Sequence, residues 1–142
     1  MDREAIRSIL PHRGQMLLVD TAILDENQSG EGSGYYTVKG TEFFLDGHFP
    51  GNPVVPGVIL CEIAAQICGV ALGDSLAGKN VVPYFTSMDA VRIRRPVRPG
   101  DRFDVKFKLT ASKPPFFFFE VEGSVSGEKV LSAKFSFAAA SK

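Results

Sequence analysis

The sequence predicts an α+β fold in which an antiparallel β-sheet of about five to six strands wraps around one long central helix. Three observations predict it. From Val58 to Leu72 the chain is apolar on nearly all helical faces, the pattern of a helix enclosed by protein rather than one lying on a surface. Later runs alternate apolar and polar residues with period two. Turn chemistry separates those runs at Arg98-Pro99-Gly100-Asp101, Lys113-Pro114-Pro115 and Ser126-Gly127-Glu128-Lys129. The 142 residues carry no internal repeat, linker or composition break, so one domain over 1–142 is expected. A domain of this size buries about 65–70% of its unfolded surface, enough for one sizeable core.

Taken in order, residues 2 to 9 form a short helix with Asp2 as N-cap, ended by the turn Leu10-Pro11-His12-Arg13-Gly14. Met16 to Leu24 is apolar enough for a half-buried strand. Asp25 to Gly34 is polar and glycine-rich, a loop or hairpin connection. Its run Gly30-Glu31-Gly32-Ser33-Gly34 carries an acid and leads into the strand-like Tyr35-Tyr36-Thr37-Val38, which argues against a nucleotide phosphate site. Pro56 and Gly57 open the central helix, with proline at the first position, where its missing N–H has no intrahelical partner to lose. Gly73 to Asn80 is a short polar connection.

The meander follows. In Asp101 to Leu109, Phe103, Val105, Phe107 and Leu109 share one face, and Arg102, Asp104, Lys106 and Lys108 share the other. Phe116 to Val125 places Phe117, Phe119, Val121 and Val125 on one face against Glu120, Glu122 and Ser124. Leu131, Ala133, Phe135 and Phe137 repeat the pattern. Phe116 and Phe118 fall on the outer face, where a partner subunit or an acyl chain would have to cover them.

Charge and composition exclude several classes of function. Sixteen basic and 16 acidic residues cancel, so no global field points to nucleic acid or an anionic membrane. The most apolar window, Val54 to Leu72, contains Glu62 and Gln66 and falls short of the ~20 residues of a membrane span. The N-terminus carries Asp2 and Glu4 and lacks a signal-peptide layout; a cytoplasmic protein is expected. Cys61 and Cys68 lie about 10 Å apart along one helix, too far for a disulfide, and match no zinc spacing. They read as two small buried hydrophobes in a reducing compartment.

The stretch Asp46 to Gly69 holds the candidate chemistry. Glu62 and Gln66, spaced i and i+4, share one face of the apolar helix. Burial raises a carboxyl's pKa toward the range of a general acid, although a Glu paired with an arginine or held by Gln66 would fit the helix pattern equally well. His48 lies in a Gly/Pro-rich loop, where a turn role is common and, with no second histidine nearby, metal ligation is not expected. His12 has a weaker case. Together, a histidine that titrates near neutrality and a buried carboxyl on either side of a Pro/Gly turn suit general acid–base work. The unpaired N–H groups at the helix start near Gly57 add a donor for a carbonyl oxygen that gains negative charge, and glycine there admits a close approach. Acid, base and oxyanion donor point to proton abstraction beside a carbonyl with elimination, since no nucleophile motif accompanies His48.

The run Gly47-His48-Phe49-Pro50-Gly51-Asn52-Pro53-Val54-Val55-Pro56-Gly57, followed by Glu62 and Gln66, resembles the signature of the 3-hydroxyacyl-[acyl-carrier-protein] dehydratases of fatty-acid synthesis. Leu10-Pro11-His12-Arg13, Leu17-Leu18-Val19-Asp20 and Arg95-Pro96-Val97-Arg98-Pro99-Gly100-Asp101 extend the likeness over nearly the whole chain. The resemblance implies the hotdog fold, a lyase without cofactor, and a homodimer or trimer of dimers whose sites lie between subunits. It implies that His48 takes the C2 proton, that Glu62 protonates the departing C3 hydroxyl and that the Gly57 amide holds the thioester carbonyl. Gln66, Phe49 and Val55 complete the implied substrate site. Glutamate resembles the plain dehydratase branch; the branch that also isomerises the double bond uses aspartate. The family commonly has Tyr-Pro-Phe at Gly14-Gln15-Met16, methionine at Val55 and phenylalanine at Leu45, departures that bear on acyl length and substrate.

Val91 to Arg98 contains Arg92, Arg94, Arg95 and Arg98 and no acid, with Lys106 and Lys108 on the next strand. Such a run is ordinarily a solvated strand face. Acyl carrier proteins are acidic, so the resemblance implies docking of the carrier on these arginines, weakened by salt. Alternative functions are an acyl thioesterase on the same fold, which uses one acid to activate water and gives His48 no role, a dehydratase of a polyene or polyketide pathway, and a carrier-binding module without catalysis.

Overall fold

The computed structural model describes residues 1–25, 27, 30–73 and 80–141. Six strands form one antiparallel sheet in the order β1-β2-β4-β5-β6-β3: β1 Thr21–Leu24, β2 Glu31–Thr37, β3 Val81–Ile93, β4 Arg102–Lys113, β5 Phe116–Val125 and β6 Glu128–Ser141. The helices are α1 Arg3–Ile9 and α2 Gly57–Gly69, the latter extended by one 3-10 turn over Val70–Leu72. Among the described residues no helix is long and apolar enough to cross a membrane.

Period two does what it predicts in β4 and β5. Phe103, Val105 and Phe107 face inward, as do Phe117, Phe119 and Val121, and Leu131, Ala133, Phe135 and Phe137 continue that face on β6. Helix α2 packs against this face through β2, β4 and β5, and Leu60, Cys61 and every residue from Ile63 to Gly69 are buried. Each Phe or Leu taken fully out of water here contributes about 1.5–3 kcal/mol. Cys61 and Cys68 are free thiols in this core. Phe116 and Phe118 are 45% and 36% exposed, on the opposite face as expected.

Asp2 caps α1 as expected, its Oδ1 accepting from Ala5 N at 2.9 Å. Four local expectations give way. Pro56 is the N-cap of α2 rather than its first residue. The anticipated strand Met16–Leu24 is only Thr21–Leu24; before it, Gly14–Met16 is a 3-10 turn, Asp20 gives β2 a single bond from its N–H to the Tyr35 carbonyl at 2.9 Å, and Leu17 to Val19 lie outside the sheet. Their backbone is held by side chains instead, Leu18 N by Gln66 Oε1 at 2.8 Å and the Leu17 carbonyl by Arg3 at 3.2 Å. The glycine-rich loop Asp25–Gly34 in fact starts β2 at Glu31. Its glycines are there for space: a Cβ on Gly34 would sit 2.6 Å from the Thr21 carbonyl oxygen and 3.0 Å from Ile67 Cγ2 of α2. Finally, β3 is a full strand that alternates half-buried and exposed residues from Pro83 to Met88 but is exposed throughout from Asp89 to Ile93, so the expected period of two is not sustained along it. Most of the expected connection Gly73–Asn80 lies outside the described residues.

Candidate active site

The His48 loop closes on its own backbone. Gly47 and Gly51 take φ of 77° and 72°, a region that costs other residues strain, and they flank the turn. His48 N donates to Leu45 O at 3.0 Å, Val54 N to His48 O at 2.8 Å, and Phe49 and Asn52 exchange backbone bonds at 3.1 and 2.9 Å. The ring of His48, half-buried, lies 3.0 Å through Nδ1 from the Val54 carbonyl. A carbonyl only accepts, so Nδ1 carries a hydrogen, and in the neutral ring the lone pair is therefore on Nε2. That is the form a general base needs. Phe49 stacks on the imidazole at 4.3 Å between centroids and is itself exposed.

Helix α2 begins six residues after the turn ends. No side chain caps its start, and the first internal bonds run from Ile59 and Leu60 to the Pro56 carbonyl, which leaves the N–H groups of Gly57 and Val58 unengaged. These are the donors expected for an oxyanion. Glycine at 57 also has a structural reason in this chain, because a Cβ would stand 2.7 Å from Ile93 Cδ1. Val55 is buried in the core, its N–H bonded to the Val97 carbonyl at 2.8 Å.

Glu62 projects from the middle of α2 into a small cavity of about 40 Å³ lined by Leu10, His12, Gln66, Pro83, Phe85 and Phe137 among others. Burial pushes its carboxyl above the ordinary range, and the Gln66 amide, donating to Oε2 at 3.3 Å, offsets only part of that. Gln66 is 2% exposed and fully used. Its Oε1 accepts from Leu18 N, and its Nε2 donates to the Met16 carbonyl at 2.7 Å as well as to Glu62. One side chain thus ties the N-terminal segment to the helix and holds the acid.

Within one chain, no hydrogen bond or ion pair joins His48 to Glu62; the histidine nearest the acid is His12, with Nε2 3.9 Å from Glu62 Oε2. Sequence reasoning gave His12 little weight. It showed only as part of the turn after α1 and of the Leu10-Pro11-His12-Arg13 motif, and its meeting with Glu62 spans 50 residues of chain.

The four arginines are exposed, and one of them is paired with an acid. Arg95 pairs with Glu128, Arg98 Nη1 donates to Asn52 Oδ1, and Arg94 Nη1 to Ser132 Oγ at 3.2 Å. Across the strands, Lys106 sits opposite Glu122 and Lys108 opposite Glu120, so that face carries both signs.

Comparison with known proteins shows the family and the fold. A family profile described as a FabA-like domain matches residues 10–134. The 3-hydroxyacyl-[acyl-carrier-protein] dehydratase FabZ of Syntrophobacter fumaroxidans is 41% identical over 137 residues, covering 94% of this chain and 90% of that protein. The FabZ enzyme of Oenococcus oeni is 41% identical over 140 residues, covering 96% and 98%. Among solved structures, the dehydratase heterocomplex ApeI:P of Xenorhabdus doucetiae superposes with a TM-score of 0.82 at 22% identity, over 96% of this chain and 91% of that one, and shows the shared hotdog fold. On the family profile and these identities, the chain belongs to the FabA-like family of 3-hydroxyacyl-[acyl-carrier-protein] dehydratases.

Proposed function

We propose that the chain eliminates water from 3-hydroxyacyl thioesters borne on an acyl carrier protein, giving trans-2-enoyl thioesters for fatty-acid synthesis, at sites shared between two copies of the chain. His48 Nε2 takes the C2 proton; the C–H electron pair becomes the C2–C3 double bond. The C3–O bond breaks as Glu62 gives its proton to the hydroxyl, which leaves as water. Negative charge that builds on the thioester oxygen is met by the Gly57 N–H and the positive end of α2. Phe49 and Gln66 bound the site, and Val55 backs it from the core. The acidic carrier docks near Arg92, Arg94, Arg95 and Arg98, in the cytoplasm.

One observation carries the reading: Glu62 is held by burial with a raised pKa in a small cavity, while the imidazole of His48 is fixed through Nδ1 at a different place on the chain. A thioesterase that uses one acid would leave that fixed imidazole without work. The cavity wall at Pro83 and Phe85 belongs to the edge strand β3, whose outward residues Tyr84, Met88, Val91 and Ile93 are exposed. A second copy applied to that edge would bring another His48 loop toward Glu62.

His48→Ala and Glu62→Gln are each expected to abolish enoyl formation with native circular dichroism. Mixing the two variants under subunit exchange makes half of the dimers mixed, each with one intact site of two, so about a quarter of wild-type activity returns. No recovery, with exchange confirmed by mass spectrometry, would sink the shared site.

A further inference from the structure

The two oxygens of the Glu62 carboxyl have unequal surroundings. Oε2 accepts from the Gln66 amide at 3.3 Å and faces His12 Nε2 at 3.9 Å. The Gln66 amide cannot be turned over: its oxygen would then face the Met16 carbonyl and its NH2 the Leu18 N–H. The side toward Glu62 is therefore a donor. A neutral carboxyl carries its hydrogen on one oxygen, and an oxygen already accepting an N–H bond is the worse place for it.

His12 is turned into the same cavity. Its Nδ1 is buried with no hydrogen-bond partner among the described residues, so the ring meets a polar partner only through Nε2. Buried donors left unpaired are rarer than under-satisfied acceptors, which favours hydrogen on Nε2. Among the described residues, the other elements lining the cavity supply no competing charge. β3 and β6 contribute Pro83, Phe85 and Phe137, and α2 contributes Ala65, Gln66, Gly69 and Glu62 itself. Arg13, next in sequence, turns its guanidinium to the carbonyls of Arg7, Leu10 and His12. Burial, aided by Arg13, lowers the pKa of His12, so the ring stays neutral at neutral pH.

We propose that His12 is a positioning residue for the acid: its Nε2–H closes on Glu62 Oε2 beside the Gln66 amide, which reserves Oε1 for the transferable proton. The inference rests on the acid role of Glu62. When the proton passes from Oε1 to the C3 hydroxyl and the C3–O bond breaks, the charge left on the carboxylate is met by two N–H donors. At 3.9 Å the two atoms stand just outside hydrogen-bond range, and the contact closes as negative charge develops on the carboxyl.

The test is steady-state kinetics of His12→Phe, His12→Asn and His12→Gln on a 3-hydroxyacyl pantetheine thioester across pH, with melting curves and Glu62→Gln alongside. Loss of a bond to a developing charge lowers kcat roughly tenfold or more in the Phe and Asn variants, with KM within about twofold. The basic limb of the kcat profile moves to higher pH, because the acid loses a donor that favours its charged form. Gln, whose amide N–H reaches the place of Nε2, restores kcat to within about threefold. Unchanged kcat and basic limb in His12→Phe, wild-type turnover in His12→Asn, or a folded His12→Gln as slow as the Phe variant would each overturn the proposal. If His12→Phe does not fold, the Asn and Gln pair decides on the same terms. Turnover by Glu62→Gln would instead remove the acid assignment itself.

Discussion

Glu42 and Glu62 are both acids taken largely out of water, and they have been put to opposite uses. Around Glu42 three donors converge: Tyr36 Oη at 2.6 Å and Lys39 N at 2.9 Å on Oε2, and Gly40 N at 2.8 Å on Oε1. Burial pulls its pKa up, but those hydrogen bonds outweigh it and hold the carboxyl below the ordinary range. Glu62 has one side-chain donor at 3.3 Å, and burial wins. Glu42 keeps less surface in water, but the Glu62 carboxyl has more protein around it, so two differences separate the structural carboxylate from the acid ready to give up a proton: the bulk that desolvates the group and the number of N–H and O–H groups aimed at it.

The comparison breaks most visibly in turnover. Glu62→Gln is expected to lower kcat by about a hundredfold or more, whereas Glu42→Gln keeps kcat within about twofold per folded molecule. Equal losses in the two variants would erase the distinction. Stability runs the other way. Glu42→Leu leaves the Tyr36 hydroxyl and the Lys39 and Gly40 N–H groups without their acceptor, at a cost of about 2–4 kcal/mol in urea unfolding. A smaller loss, about 1–3 kcal/mol, is expected for Gln66→Leu, which unties Leu18 and Met16 and removes the donor from Glu62; its kcat profile should show a basic limb at higher pH.

The smallest effect is in the pH dependence of melting, and its signs are opposite for the two acids. Glu42, with a lowered folded pKa, contributes stability present above its unfolded value of 4.5 and lost as pH falls through the folded one. Glu62, with a raised folded pKa, is neutral in both states below 4.5, and stability declines as pH rises above that value. Glu62→Gln should therefore melt above wild type at pH 8, and the gap should close near pH 4. A gap that persists at pH 4 would show that the substitution acts through packing, not charge.

Much of this was readable in the chain itself. The enclosed helix, the faces of β4 to β6 and the pair Glu62 and Gln66 follow from periodicity, because their side chains have one wet and one dry direction or none wet at all. Three features were not readable for physical reasons. Leu17 to Val19 looks like a strand, yet Arg3 and Gln66 satisfy backbone groups that a neighbouring strand would otherwise take. Gly32 and Gly34 look like loop residues, yet they sit in β2 because the Phe107 ring and Ile67 occupy the space. His12 acquires its neighbour from α2 only once the segment after α1 is folded over the helix, an encounter with no local signal.

Gly34 carries one more consequence. A methyl group there would collide with the Thr21 carbonyl on one side and with Ile67 on the other, and Ile67 is the residue next to Gln66. The bare backbone at this point sets the clearance between sheet and helix, and with it how deep the acid is seated. An alanine at 34 would leave every reacting group in place by name while lifting the platform they stand on. In a mutational scan it would read as an active-site position, although it touches nothing that reacts.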